Sequence, residues 1–207
     1  KYYELFIYID PAFNQLKDLY SNAAYKQNTI VDNYLNALLV NDPDMEKYCF
    51  NAGFDLYCPE DITCISGRQI ILDHKIKCCM KTSYYHANLD NKMNQDNKMN
   101  QDNKMNLDNT SSQFISYYLY SRCSTPLKTP LRLANNVGVI DSGYRGNIKG
   151  IFDNVQTDDF SNFNIEFGSR LLQICAPNLE YPMKITIVDS IENLGQTDRG
   201  EGGFGST

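Results

Sequence analysis

The sequence predicts a mainly β fold, a sandwich, barrel or jelly roll, with a helical segment near the N-terminus. After Pro43, short apolar stretches alternate with turns rich in Gly, Pro, Asn and Asp. The predicted strands are ITCI (62–65), QIILDHKIKCCM (69–80), FISYYLY (114–120), NIKGIFDNV (147–155), RLLQICA (170–176) and KITIVD (184–189). Many short strands at close intervals favour a closed or two-sheet β fold over alternating strands and helices.

The N-terminal part has a different periodicity. Residues 2–9, YYELFIYI, are aromatic and β-branched and predict a strand. From Pro11 to about Leu39 the apolar residues recur mostly three and four positions apart, which indicates one long or two short amphipathic helices. We interpret residues 11–45 as a helical insertion within a single domain that spans residues 1–207.

A short repeat separates two of the predicted strands. Residues 91–108 read NKMNQD, NKMNQD and NKMNLD. Each copy has too little apolar surface to offset the entropy of ordering, and the period fits neither a helix nor a strand. We therefore predict that residues 88–112 form a low-complexity, disordered loop.

Composition limits the classes of function. The 207 residues carry a net charge of −6, so the surface as a whole is not expected to bind nucleic acid. No apolar run is long enough to cross a membrane, and charges interrupt the N-terminal apolar stretch, so we expect no membrane span and no signal peptide. Seven cysteines without C-x-x-C pairs and only two histidines argue against a disulfide framework and a structural zinc site. We predict a soluble intracellular protein of the cytoplasm or nucleus, with a viral origin left open.

Five motifs carry the candidate chemistry. They are AGFDLY (52–57), SRCS (121–124), LANNVGVIDSGYRG (133–146), RLLQ (170–173) and RGEGGFGST (199–207). Gly200, Gly202 and Gly205 match the spacing G-x-G-x-x-G, which opens a helix in dinucleotide-binding units. Only two residues follow Gly205, so we expect no Rossmann-type site.

In order and spacing, the five motifs resemble those of the homotrimeric dUTPase family, the deoxyuridine triphosphate nucleotidohydrolases. The resemblance runs from about Asn51 to Thr207, interrupted by the repeat, and leaves the N-terminal helical part outside it. It implies a β jelly roll, a homotrimer whose three active sites draw on all three chains, and Mg²⁺-dependent hydrolysis of dUTP to dUMP and pyrophosphate.

The resemblance also implies roles for the nucleoside-binding residues. Asp141 corresponds to the general base that orients and deprotonates a water for attack on the α-phosphorus. Tyr144 corresponds to the floor under the sugar, where it would exclude a ribose 2′-hydroxyl. Asn135 and the backbone around Gly138 lie where the family reads the uracil edge, and unpaired polar groups would disfavour cytosine there.

Phosphate binding is assigned by the same resemblance. Arg199, implied as a catalytic residue, and Arg122, implied as a substrate-binding residue, would neutralise the triphosphate. The other residues implied in substrate binding are Cys123, Ser124, Gln173, Phe204, Gly205 and Ser206. Asp55 would act on Mg²⁺ through water, with the ion otherwise held by the substrate phosphates. We expect residues 197–207 to form a flexible arm that closes over the nucleotide and lays Phe204 on the base.

One motif departs from the family pattern. The second motif usually reads Pro-Arg-Ser, whereas here Ser121, Arg122 and Cys123 are followed by Ser124. A thiol is a weaker hydrogen-bond donor than a hydroxyl, so a slower enzyme is expected. A non-catalytic or weakly catalytic dUTP-binding regulatory module is therefore the alternative, and a dCTP deaminase is a more distant one, disfavoured by the intact IDxxY motif.

Overall fold

The computed structural model describes residues 1–84, 113–156 and 162–203, and this part of the chain forms twelve strands and two α-helices. In chain order these are β1 (Tyr2–Ile9), α1 (Asn14–Leu39), β2 (Gly53–Tyr57), β3 (Ile62–Cys64), β4 (Gln69–Ser83), β5 (Phe114–Ile115), β6 (Tyr117–Ser121), α2 (Thr125–Lys128), β7 (Leu131–Leu133), β8 (Val137–Ile140), β9 (Asn147–Asn154), β10 (Phe163–Ile165), β11 (Arg170–Cys175) and β12 (Met183–Val188). Short 3-10 helices occupy Pro11–Phe13, Met45–Lys47 and Ile191–Leu194.

The strands form two main sheets and a small one. The larger sheet has the order β12-β1-β4-β9-β7, with β5 also paired to β4, and the second sheet has the order β2-β11-β6-β8. Strands β10 and β3 form a separate pair. All pairings are antiparallel except that of β1 with β12. The predicted mainly β, jelly-roll-like fold is confirmed.

The core lies where the two main sheets face each other. Strands β1 and β9 alternate strictly between half-buried and buried residues, as expected for strands with one covered face. Their inward side chains, such as Leu5 and Phe152, join one apolar cluster with Leu56, Leu119 and Ile174 of the second sheet. This shared cluster fixes the orientation of the sheet that carries most of the motifs.

Residues 14–39 form one long helix, the first of the two predicted possibilities. Its buried face includes Leu16, Tyr20, Val31 and Leu35. The side chain of Asn28 both donates to the carbonyl of Ile185 and accepts from its amide, each at 2.8 Å. Because β12 is an edge strand, this amide takes the place of a neighbouring strand and protects the edge. Within the described residues, no helix has the length and apolar character that a membrane crossing needs.

Strand β4 contains an irregularity opposite β9. The pairing register shifts between Asp73 and Lys77, and Lys75 adopts a positive φ of 56°. The buried ring of His74 lies in this bulge, and its Nδ1–H donates to the carbonyl of Tyr57 at 2.9 Å. Burial lowers the pKa of His74 to about 4, although the bond to Tyr57 and the charge of Asp73 oppose the shift. His74 is therefore neutral and ties β4 to the end of β2.

Three predicted segments lie wholly or partly outside the described residues. The NKMNQD repeat (91–108) and the whole of the predicted loop 88–112 are outside them. The last four residues, 204–207, are outside them as well. The positions of Phe204, Gly205 and Ser206 therefore stay predictions.

Candidate active site

The second sheet brings four of the five motifs onto adjacent strands. Asp55 is on β2, Gln173 is on β11, Arg122 directly follows β6, and Asp141 directly follows β8. Asp55 and Gln173 are cross-strand partners. Strand order thus converts motifs that are far apart in the sequence into a continuous surface.

One end of this surface is a cleft of about 880 Å³, which we call the arginine cleft. Its charged lining on the β side consists of Asp55, Arg122 and Arg170. The Asp55 carboxylate accepts from Arg122 Nε at 2.7 Å and from an Arg170 terminal nitrogen at 3.1 Å. The carboxylate therefore holds both guanidinium groups at the cleft, where they are positioned for an anion.

Arg170 was not among the predicted site residues, although it opens the RLLQ motif. In a regular strand, residues 170 and 173 would face opposite sides. The pairing of β11 with β2 shifts register between Arg170 and Leu172, and this bulge turns Arg170 and Gln173 toward the same cleft. The sequence alone, read as a regular strand, would place Arg170 on the face opposite Gln173 and so away from the cleft.

The second motif follows β6 as a tight turn at the cleft. Arg122 N–H donates to the carbonyl of Leu171 at 2.9 Å, and its guanidinium donates to the carbonyl of Arg170 at 3.2 Å. Cys123 and Ser124 both line the cleft, and Cys123 is an exposed free thiol. The structure thus places the unusual cysteine beside the arginines.

A second cavity of about 210 Å³, which we call the tyrosine pocket, lies elsewhere on the same sheet. It is lined by the four residues predicted to bind the nucleoside and water, namely Asn135, Gly138, Asp141 and Tyr144. Lys149 and Asn147 of β9 also line it. The sequence offered no motif for these two, because they lie on a strand that reads as ordinary alternation.

Tyr144 is held rigidly in this pocket. Its hydroxyl donates to the carbonyl of Asn147 at 2.8 Å, and the ring belongs to the border of the hydrophobic core. A Cβ atom on Gly146 would lie only 2.5 Å from the Tyr144 hydroxyl, so only glycine leaves room for the ring. Burial, with the charges of Asp73 and Glu201, raises the pKa of Tyr144, which keeps the hydroxyl protonated as a donor.

Arg145 joins the loop after Asp141 to the root of the C-terminal arm. It is 5% exposed, and its guanidinium donates to the carbonyls of Ser142, Tyr144, Leu194 and Gly195 at 2.8–3.1 Å. Its ring-stacking partner is Phe114, 4.7 Å away. Among the described residues, no carboxylate pairs with Arg145 in an ion pair.

The arm returns across the tyrosine pocket. Arg145 N–H donates to the carbonyl of Gly200 at 2.7 Å, and Thr197 hydrogen-bonds to the carbonyl of Gly143. Arg199 reaches the pocket and forms an ion pair with Asp141. Arg199, predicted to bind the phosphates, therefore lies in this chain beside the predicted base and not in the arginine cleft.

One chain keeps the two cavities apart. No described residue lines both. Arg122 follows the last residue of β6, whereas Asp141 lies beside its first residues, since Ile140 pairs with Tyr117. At about 3.4 Å per residue, the backbone positions of Tyr117 and Arg122 are separated by roughly 17 Å along the strand. A single chain thus presents two half-sites.

In the described part of the chain, the donor groups do not form a metal site by themselves. Among the described residues, no group of three or more His, Cys, Asp or Glu side chains can hold a metal ion. Of the described residues that line the arginine cleft, only Asp55 is acidic, and both of its oxygens accept from arginines. This donor set fits a hydrated cation that is carried by an anionic ligand.

Comparisons with known proteins agree on one family. The dUTPase family model matches residues 111–207. The deoxyuridine 5′-triphosphate nucleotidohydrolase of Cutibacterium acnes is 25% identical over 165 residues, which cover 79% of this chain and 84% of the relative. The enzyme of the same name from swinepox virus is 44% identical over 70 residues, 34% of this chain and 44% of the relative.

The alignments differ in extent. The chain spans 84% of the length of the C. acnes protein but less than half of the swinepox virus protein. Among solved structures, dUTPase from Streptococcus mutans has a TM-score of 0.39 and 23% identity, with 68% of this chain and 83% of that chain covered. The family model and the curated relatives that share this one name support placing the chain in the dUTPase family.

Proposed function

We propose that this protein hydrolyses dUTP to dUMP and pyrophosphate. The observation that carries the proposal is the tyrosine pocket, where Asn135, Gly138, Asp141 and Tyr144 line one cavity. The motif resemblance assigns these residues to uracil, sugar and the attacking water. Relatives named deoxyuridine 5′-triphosphate nucleotidohydrolase support the same substrate.

The proposed reaction needs no covalent intermediate. The Asp141 carboxylate orients a water and takes its proton as the water oxygen bonds to the α-phosphorus. The bond from that phosphorus to the bridging oxygen breaks in line, and pyrophosphate leaves. Asp141 must first be released from Arg199, and the phosphates of the substrate are the natural competitor for this guanidinium.

The triphosphate would lie in the arginine cleft. Arg122 and Arg170 are already held there by Asp55, so little reorganisation is needed when the anion arrives. Gln173, Ser124 and the backbone after Arg122 provide uncharged donors at the same wall. Cys123 would contact the phosphate bridge with a weak donor.

Mg²⁺ is the proposed cofactor. The triphosphate oxygens would hold the ion, and Asp55, the one acidic residue among the described residues that line the cleft, would contact it through bound water. When bound, the ion neutralises phosphate charge and orients the chain of phosphates. The protein's own contribution is the pair of arginines that hold the other oxygens.

We further propose a homotrimer with shared sites. The separation of the two half-sites within one chain supports it, because Asp141 of one copy can then face the arginine cleft of another copy.

We also propose that residues 1–207 form one domain that acts inside the cell, since all seven cysteines are free.

Pyrophosphate release tests the function directly. The rate is measured with dUTP, dTTP, dCTP and UTP, each with Mg²⁺ and with a chelator. We expect rapid release from dUTP with Mg²⁺ alone. Ammonia release from dCTP would instead indicate a deaminase. Tight dUTP binding without pyrophosphate would indicate the regulatory module, which the Arg199–Asp141 pair and Cys123 favour.

A further inference from the structure

Helix α1 forms one wall of the arginine cleft, although it lies outside the five motifs. Six of its residues line the cleft, namely Leu19, Asn22, Ala23, Lys26, Gln27 and Ile30. The opposite wall contains Asp55, Arg122 and Arg170. The helix is therefore part of the candidate site and more than a packing element.

The position of this wall is fixed by hydrogen bonds to β2, which carries Asp55, to the segment just before β2, and to β12. The Tyr20 hydroxyl accepts from the amide of Tyr57 at 3.0 Å. The buried Gln27 side chain accepts from Asn51 at 2.9 Å and donates to the carbonyl of Met183 at 3.3 Å. Since Gln27 directly follows Lys26, the backbone of Lys26 is held at a defined place beside the cleft.

The charge of the cleft contrasts with that of the whole protein. The chain has a net charge of −6, but the described residues that line the cleft include three cations and one anion. Asp55 is in ion pairs with Arg122 and Arg170. Lys26 takes part in none of the ion pairs between described residues, so its ammonium group is available to a ligand.

We propose that Lys26 binds the substrate's phosphates and that α1 is a built-in part of the phosphate site. The nature of the anion rests on the proposed function. A triphosphate carries about four negative charges, and the weak thiol donor of Cys123 leaves part of the anion without a strong partner on the β wall. A flexible lysine on the facing wall supplies a mobile charge there.

The experiment compares Lys26→Ala with a matched control on the same helix, Lys17→Ala. Lys17 pairs with Asp189 at 2.7 Å and does not line the cleft. Binding of inorganic tripolyphosphate is measured by calorimetry, and KM and kcat are measured with dUTP. For Lys26→Ala we expect about 3- to 10-fold weaker tripolyphosphate binding and a similar rise in KM, because an exposed charge contact is partly screened.

Lys17→Ala should match the wild-type protein in both measurements, and Lys26→Arg should recover most of the affinity. Lys26→Glu should weaken binding further than Lys26→Ala. Equal tripolyphosphate affinity of Lys26→Ala and wild type would overturn the inference, as would a wild-type protein that does not bind tripolyphosphate. Lys26-dependent tripolyphosphate binding in a protein that leaves dUTP intact would reject the proposed hydrolysis and keep the inference.

Discussion

Arg199 of the C-terminal arm forms an ion pair with Asp141 across the tyrosine pocket. The side chain of Asp141 is about half exposed, at 47%, so water can reach the carboxylate once the arginine leaves. The pair joins the predicted phosphate ligand to the predicted base. In the proposed mechanism, substrate binding and release of the base would therefore be coupled through one guanidinium.

Replacing the base should separate binding from turnover. We expect Asp141→Asn to lower kcat by roughly 10²- to 10⁴-fold, the usual contribution of a general base. Binding of a non-hydrolysable dUTP analogue, measured by calorimetry, should change little. Asp153→Asn is the control, since Asp153 is a surface partner of Gln69. Near-normal turnover of Asp141→Asn would exclude the carboxylate as base.

Mixing two inactive variants tests whether the two half-sites of different copies combine into one active site. Asp141→Asn keeps an intact arginine cleft, and Arg122→Ala keeps an intact tyrosine pocket. If sites are shared between copies, subunit exchange of an equal mixture should restore about a quarter of the wild-type activity. Each variant alone is the control. A mixture that stays as inactive as its parts would mean that each site is built within one chain.

Arg145 should control the arm as well as stability. Lysine cannot make all of the hydrogen bonds that Arg145 donates to the carbonyls of residues 142, 144, 194 and 195. We therefore expect Arg145→Lys to lower the free energy of unfolding by about 2 kcal/mol. Turnover should fall about tenfold, and trypsin should cut after Arg199 faster. Arg132→Lys is the matched control, because Arg132 also binds carbonyls but is exposed. Identical cleavage rates in the two variants would limit Arg145 to a structural role.

Restoring a hydroxyl in the second motif should speed the enzyme. Cys123 is exposed in the arginine cleft, and a serine hydroxyl is a stronger donor to phosphate. We expect Cys123→Ser to raise kcat/KM for dUTP several-fold, by roughly the 1 kcal/mol of an added hydrogen bond. Cys49→Ser, at the other exposed cysteine, is the control. No gain from Cys123→Ser would mean that the departure has no catalytic consequence.

The buried His74 makes folding stability sensitive to mild acid. Its folded-state pKa is lowered from 6.5 to about 4, so between these values the unfolded chain binds a proton that the folded chain does not. His74 therefore has little effect on stability well above pH 6.5, and stability falls as the pH drops through 6.5 toward 4. The loss between pH 7 and pH 5 should be about 2 kcal/mol.

The comparison variant for this prediction is His74→Gln, which can still donate to the carbonyl of Tyr57. Urea denaturation at pH 7 and pH 5 measures both proteins. The carboxylates contribute equally to the two, so the difference in pH dependence reports His74. Parallel pH dependence in wild type and variant would show that the imidazole does not titrate in this way.

Many of the strands could be predicted because they are short apolar stretches bounded by Gly, Pro, Asn and Asp. Stretches such as NIKGIFDNV and KITIVD became β9 and β12 with small shifts at their ends. Sheet order could not be predicted, because the parallel pairing of β1 with β12 depends on contacts between opposite ends of the chain. The length of α1 was ambiguous since an amphipathic pattern does not show whether it is interrupted.

The site could be predicted where a residue belongs to a spaced motif. Asn135, Gly138, Asp141 and Tyr144 do meet in one pocket. Arg170 was not predicted as a cleft residue, because the bulge that turns it toward the cleft has no signal in the sequence. Lys26 was not predicted as a cleft residue, because a lysine on a helix surface has no distinguishing pattern until the facing wall of the cleft is known.

The place of β1 in the larger sheet has a consequence for biosynthesis. This strand lies between β4 and β12, and Tyr3 pairs with Met183. Strand β1 is synthesised long before β12. The edge of β1 that pairs with β12 therefore stays unpaired until most of the chain has been made. The segment that matches the family model, residues 111–207, contains β12 but neither β1 nor β4. Expressed alone, it would present the edge of β12 to other chains and invite aggregation.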